Sequence, residues 1–292
     1  MNIIIQLVID ALMLGGVYAA LAVGLSISFG VMRVINWAHG ECFMMGMYVF
    51  YVFITYIGAS SILATIICGV VLFGFGYVLQ RFVFNNILER ESEREPVTIM
   101  LFGAGLGLAL SSIALMIFTS YPLQAQTAIR GTVWQLGSFI ISVPRFVAFI
   151  FSIVFSLALY FVIQKTELGR AIRATSQNRF VAELMGIPYK KIYAFVFSIG
   201  LGILGLSAGL MAPFYPVTPT VGSVFGFKTF IIVVLGGKGS IPGALVGGFI
   251  VAFVEKIGGW FLGDVYSQVL IFLAFILMLL FRPTGILGKE KD

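Results

Sequence analysis

The 292-residue sequence is poor in charge and in the residue types from which soluble active sites are built. Only 10% of its residues are charged, against about a quarter in soluble domains. A single histidine excludes a metal site that needs several imidazoles, and the two cysteines, Cys42 and Cys68, both lie in apolar stretches. These shortages argue against a soluble enzyme, a disulfide framework and a thiolate metal centre.

Apolar residues dominate instead. They form 60% of the sequence, and the mean hydropathy is +1.08, more apolar surface than a water-soluble fold of this size could bury. The apolar residues occur in long runs rather than short alternating segments, which predicts a helical membrane protein and not a barrel. The net charge of +6 then indicates basic cytoplasmic loops, and we expect no nucleic-acid partner.

Nine apolar runs approach the roughly 20 residues that a crossing requires. They lie at 4–29, 42–57, 61–84, 97–119, 144–163, 193–212, 222–236, 241–257 and 265–281. The runs at 222–236 and 241–257 are short and glycine-rich, and could together form a broken or re-entrant hairpin. The expected fold is an all-α integral membrane protein, a polytopic helical bundle of about eight or nine spans.

The basic residues predict the orientation. With the N-terminus outside and every run crossing, all of the 18 Lys and Arg residues fall on the inner side except Arg130, Arg145, Lys228 and Lys256, as the positive-inside rule requires. We therefore expect an odd number of crossings, an external N-terminus and a cytoplasmic C-terminus.

Glycine is abundant, at 34 residues. Small residues let helices approach closely in lipid, so we expect packing roles for glycines at 15–16, 103–107, 200–205 and 243–248. The Gly-Gly-Lys-Gly-Ser sequence at 236–240 lacks the spacing of a phosphate-binding loop.

Polar residues cluster after the first span. Asn36, His39 and Glu41 follow Arg33 too closely for a helix that faces lipid. Two interpretations remain open: the cluster caps a helix and forms structural hydrogen bonds, or it lines a transport path and gates it.

The basic loop at about 164–192 predicts one or two short amphipathic helices beneath the membrane. Gly186 and Pro188 would end them. The loop could lie on anionic lipid, or it could dock a cytoplasmic protein.

Several segments resemble one family. Residues 15–19 and 29–41 look like the opening signature of the permease subunits of branched-chain amino acid ABC importers, the LivH type, and Trp37 stands where we expect Phe. Residues 182–187 resemble the cytoplasmic coupling segment of that family, and residues 234–244 and 282–288 resemble its later signatures.

The resemblance implies a single transmembrane permease domain over residues 1–292 in the bacterial inner membrane. It implies a second homologous permease subunit, two cytoplasmic ABC ATPases, a periplasmic or extracellular solute-binding protein and surrounding lipid. This chain would bind no cofactor, because ATP and Mg²⁺ would bind to the ATPases. The expected substrate is a small amino acid, with Leu, Ile and Val as the default.

The resemblance also assigns site residues. No catalytic or metal-binding residue is expected. The residues expected to couple the chain to the ATPases are Arg173, Ala182, Glu183 and Gly186. The residues expected to line or gate the path are Asn36, His39, Glu41, Gly236, Gly237 and Gly239.

Other functions stay open. Relatives of this kind carry urea, short amides or aromatic acids, and this chain alone does not fix the solute. A carrier driven by an ion gradient would need more core carboxylates than the sequence has. An intramembrane enzyme would need a nucleophile and a base, and the sequence has one histidine and no Gly-x-Ser-x-Gly motif.

Overall fold

The fold is a bundle of long apolar helices in a computed structural model that describes residues 2–90, 97–137 and 139–288. Arg94, Lys289 and Lys291, which the sequence predicts to be cytoplasmic, lie outside these ranges. The described helices are α1 (Asn2–Met32), α2 (His39–Ile57), α3 (Ser61–Leu79), α4 (Asn85–Arg90), α5 (Val97–Phe118), α6 (Val143–Lys165), α7 (Glu167–Gln177), α8 (Arg179–Leu184), α9 (Tyr189–Met211), α10 (Val221–Gly236), α11 (Ile241–Leu262) and α12 (Asp264–Phe281). A π-helical stretch, Gln80–Phe84, joins α3 to α4.

Seven helical segments of the described residues are long and apolar enough to cross a membrane, and the apolar helices at 221–236 and 265–281 are shorter. Together they match the nine predicted runs, which confirms the polytopic all-α fold. The predicted break in the C-terminal third falls at 237–240, between α10 and α11. With 22 residues, α11 is long enough to cross alone, whereas α10 has 16.

The first helix forms the centre of the bundle. It packs against α6, α9, α10 and α11, while α3 lies along α9. At the crossing of α1 and α9, a Cβ added to Gly24 would lie 2.6 Å from the carbonyl oxygen of Gly200, and the reverse distance is also 2.6 Å. The predicted packing role of the glycines is therefore confirmed at this crossing. Because glycine has no side chain, the two helix backbones can come into direct contact.

The two ends of α1 contact different parts of the chain. At its start, the Gln6 amide donates to the carbonyl oxygen of Ile140 at 2.8 Å, and Asp10 lies 3.4 Å from Arg145. Ile140 belongs to an antiparallel hairpin of β1 (Val133–Leu136) and β2 (Phe139–Ser142). Just beyond its end, the Arg33 guanidinium lies 3.5 Å from the carbonyl oxygen of Ser176 in α7. The hairpin and the basic loop therefore lie at opposite ends of the bundle.

The last described residues return to the end of the bundle that holds α7. The N–H groups of Ile286 and Leu287 donate to the carbonyl oxygens of Leu235 and Gly236 at 2.9 and 3.0 Å. The neighbouring Gly239 contacts Gly30 near the end of α1. The beginning of α1 and the C-terminal segment thus lie at opposite ends, as an odd number of crossings requires.

Candidate functional site

The chain folds back into the bundle between α1 and α2. Arg33, directly after α1, has a φ of 55°, and α2 begins six residues later at His39. The His39 Nε2 atom lies 3.4 Å from the carbonyl oxygen of Leu21, about three turns or roughly 16 Å before the end of α1. This distance is about half of the roughly 30 Å hydrocarbon core. We therefore infer that α2 begins near half depth and that the segment at 33–38 is non-helical backbone within the bundle.

Hydrogen bonds and small neighbours stabilise this re-entrant segment. The Asn36 side-chain oxygen accepts from the Ala38 N–H at 3.1 Å, and the Asn36 carbonyl accepts from the His39 N–H at 3.2 Å. On α5, a Cβ at Gly103 would lie 3.1 Å from the Asn36 oxygen, and one at Gly107 would lie 3.3 Å from the Glu41 carboxylate. These two glycines leave room for non-helical backbone, which is tolerated at this depth only against protein or a cavity.

The start of α10 packs directly on the start of α2. A Cβ at Gly40 would lie 2.6 Å from the Cα atom of Gly226, and one at Gly222 would lie 2.9 Å from the Cα atom of Glu41. This backbone contact brings Ser223 and Phe227 of α10 beside the polar residues that precede and open α2.

Two cavities meet at this point. One has a volume of about 320 Å³ and is lined by Asn36, His39, Glu41, Ser223 and aromatic residues of α10 and α12. The other has a volume of about 480 Å³ and lies towards α5, where its hydroxyl groups come from Ser111, Ser112, Thr220 and Ser223. Trp37, Glu41 and Ser223 line both cavities. The structure thus brings together three of the predicted path residues.

The predicted path glycines Gly236, Gly237 and Gly239 do not line either cavity. Gly236 contacts the backbone of Gly243, Gly237 contacts the backbone of Gly288, and Gly239 contacts Gly30, with a Cβ at Gly239 lying 2.7 Å from the Gly30 Cα atom. These contacts are tight backbone packing. Their role in a path stays a prediction.

A buried ionic network lies beside the cavities. The Lys228 ammonium donates to both carboxylate oxygens of Glu255, at 2.8 and 2.9 Å, and to the Tyr18 hydroxyl at 3.1 Å. Tyr18 in turn donates to Glu255 at 2.8 Å. The side chains of Lys228 and Glu255 are 12% and 20% exposed, so this ion pair is largely buried inside the bundle. The charge of Glu255 also reaches Tyr215, in the loop before α10. Burial is the larger cause that raises the pKa of Tyr215, and the nearby Glu255 charge raises it further.

The basic loop forms the two predicted short helices. Thr166 caps α7 by accepting from the Gly169 N–H at 3.1 Å, and Asn178 caps α8 by accepting from Phe180 and Val181 at 3.0 and 3.2 Å. Arg173 donates to the carbonyl oxygen of Ile163, in the last turn of α6. Arg173 therefore attaches α7 to the end of α6.

The end of α8 has a defined shape. Gly186 adopts a φ of 83°, its N–H donates to the Glu183 carbonyl, and the Ile187 N–H donates to the Ala182 carbonyl, both at 2.9 Å. This is a Schellman C-cap. Ala182 is buried while Glu183 is exposed, so the four predicted coupling residues do not share one surface.

The end of α8 also exposes two apolar residues that were not among the predicted coupling residues. Leu184 is 86% exposed and Met185 is 77% exposed. The amphipathic pattern of the loop places both residues on an apolar helix face, but it does not show that this face is left uncovered within the chain.

Comparison with known proteins gives a consistent assignment. The family model described as branched-chain amino acid transport system / permease component matches residues 7–279. The high-affinity branched-chain amino acid transport system permease protein BraD of Pseudomonas aeruginosa is 32% identical, over 98% of this chain and 96% of BraD. LivH of Escherichia coli, of the same description, is 31% identical over the same shares. The ribose import permease protein RbsC of Haemophilus influenzae is 35% identical over 43% of this chain and 39% of its own length.

No solved structure matches the chain significantly. The family match covers nearly all of the sequence, and it includes both the re-entrant segment and the basic loop. The chain therefore belongs to the family of permease components of branched-chain amino acid transport systems.

Proposed function

We propose that this chain is the permease subunit of an ATP-driven ABC importer in the bacterial inner membrane, and that it forms the translocation path for Leu, Ile and Val. The relatives that match over nearly the full length are named as branched-chain amino acid permeases, which supports this substrate class over urea, short amides or aromatic acids. A solute-binding protein on the outer side would deliver the amino acid.

The polar face at the start of α2 carries the proposal. Glu41 is half-buried, and Trp37 and Ser223 are exposed, on the face that we infer to lie near half depth in the membrane. An ionisable side chain at that depth faces a protein neighbour or water rather than lipid. We infer that a second, homologous permease subunit covers this face and that the path runs between the two subunits.

The basic loop supports coupling to ATPases. Leu184 and Met185 present apolar surface on a helix whose two ends are fixed by Asn178 and Gly186. A rigid apolar projection is suited to a groove on a cytoplasmic protein. In this proposal ATP and Mg²⁺ bind only to the two ATPase partners, and their closure moves α7 and, through Arg173, the end of α6.

Purification of the tagged chain in mild detergent tests the proposal. We expect a second permease and two ATPases to copurify, and the reconstituted complex with its binding protein to import leucine only when ATP is supplied. A homo-oligomer that lacks ATPases, obtained under conditions that preserve a known importer, would contradict the proposal. Uptake by such an oligomer on an ion gradient would identify a secondary carrier instead.

A further inference from the structure

The cavity at the start of α2 combines hydrogen-bonding groups with aromatic side chains. Its volume of about 320 Å³ falls at the lower end of the range for small-molecule sites, about 300–1,000 Å³. Asn36 and Glu41 supply the polar groups, and Phe227, Phe230 and Phe272 supply apolar surface. A solute that fits this lining has charged or polar groups close to an apolar side chain.

Asn36 offers an unused donor in this lining. The residue is 4% exposed, and its side-chain oxygen already accepts from the Ala38 N–H, which fixes the orientation of the amide. Within the described part of the chain, the Asn36 Nδ2 atom has no hydrogen-bond partner. A buried donor without a partner favours a ligand that brings an acceptor. The adjacent start of α2 favours a negatively charged acceptor, because a helix N-terminus carries partial positive charge.

Glu41 offers a complementary charge. Its carboxylate lies against Gly107 of α5 and lines both cavities. Over residues 2–90, 97–137 and 139–288, no basic side chain forms an ion pair with it. By contrast, Lys228 and Glu255 nearby satisfy one another. An uncompensated carboxylate near half depth favours a cationic ligand group over a neutral one.

We propose that this cavity is a transit site that binds a free α-amino acid with an aliphatic side chain. The ammonium group meets the Glu41 carboxylate, the carboxylate accepts from Asn36 Nδ2 at the start of α2, and the side chain lies among Phe227, Phe230 and Phe272. This inference rests on the proposed function, in which the path carries such a solute. It adds that the membrane subunit itself recognises both charged groups of the amino acid.

Trp37 provides a direct measurement of binding, because its side chain lines the cavity. The purified complex, without binding protein or ATP, is titrated with leucine, and the signal is the fluorescence change that Trp37→Phe abolishes. We expect saturation with leucine. 3-Methylbutylamine, which lacks the carboxylate, and 4-methylpentanoate, which lacks the ammonium group, should each bind about tenfold more weakly, because each loses one charge-assisted hydrogen bond.

Glu41→Gln identifies the ammonium contact. We expect it to weaken leucine and 3-methylbutylamine binding about tenfold and to leave 4-methylpentanoate binding unchanged or improved. Glu167→Gln is the matched control, since Glu167 is a 93% exposed carboxylate on α7, and it should leave all three titrations unchanged. The analogue series on the unsubstituted cavity gives an answer even if Glu41→Gln does not assemble.

Two results would overturn the inference while leaving the proposed function intact. One is the absence of a saturable Trp37 signal in a complex that still imports leucine with ATP. The other is an assembled Glu41→Gln complex with unchanged leucine affinity. Failure of ATPase copurification and of ATP-dependent uptake would instead contradict the proposed function itself.

Discussion

At the residue scale, the network of Tyr18, Lys228 and Glu255 is complete. The three N–H donors of the Lys228 ammonium have three oxygen acceptors, and Tyr18 both accepts from Lys228 and donates to Glu255. Charges within the membrane are costly unless they are paired in this way. The network therefore fixes α10 to α1 and α11 at one point and carries no free charge for ion coupling.

Breaking this pair should destabilise the protein strongly. Lys228→Met leaves a buried carboxylate, and loss of one partner of a buried ion pair costs about 3–5 kcal/mol. We expect a clear fall in the melting temperature of the detergent-solubilised protein, measured by fluorescence-detected size exclusion. Replacing both residues, as Lys228→Met with Glu255→Met, should recover much of the loss.

Lys256→Met is the control for this series. It removes the same charge one residue from Glu255, at a position for which the described residues show no ion pair. If Lys228→Met melts at the same temperature as Lys256→Met, the network does not stabilise the fold and the interpretation is wrong.

At the scale of elements, the C-cap of α8 determines how the basic loop ends. Gly186 adopts its left-handed conformation in open space, so its substitution tests backbone strain and not a steric clash. A side chain at such a position costs about 1–2 kcal/mol. This strain should weaken the Schellman hydrogen bonds at the end of α8, which orient Leu184 and Met185.

Gly186→Val should therefore uncouple ATP hydrolysis from uptake. We expect the complex to assemble and to hydrolyse ATP, and leucine imported per ATP to fall about tenfold. Gly131→Val is the matched control, because Gly131 has a φ of 76° and open surroundings but lies in the loop before β1. Equal coupling in the two variants would rule out a role of the α8 C-cap in transmission.

Sequence periodicity and length predicted the apolar helices well, because each crossing needs its own apolar run. Periodicity and length did not predict how deep in the bundle each helix begins. The polar cluster after Arg33 fitted both a helix cap and a transport path, so the sequence alone did not separate a cytoplasmic turn from a return into the membrane. The pairing of Lys228 with Glu255 was missed for a related reason: hydropathy counts each charge separately, and only the packing of α10 against α11 shows that the two neutralise each other.

For the whole molecule, the orientation remains a prediction that cysteine labelling can test. The hairpin and α7 lie at opposite ends of the bundle, so residues beside them should react from opposite sides. Tyr121 is 76% exposed and Glu167 is 93% exposed, while the native Cys42 and Cys68 are buried. We expect Tyr121→Cys to react with an impermeant maleimide in intact cells and Glu167→Cys to react only after permeabilisation. The reverse pattern would contradict an external N-terminus.

The re-entrant start of α2 also affects how stable an unassembled copy of the chain is in the membrane. In the proposed assembly, a newly inserted copy without its partner would expose Glu41 and Ser223 to hydrocarbon, and a charged side chain near the bilayer centre costs about 2.5–3.5 kcal/mol on insertion scales. We expect membrane proteases to distinguish such an orphan from an assembled subunit, whose polar face is covered. In the proposed assembly the two permeases are therefore needed in matched amounts, and we expect a surplus copy of either to be degraded.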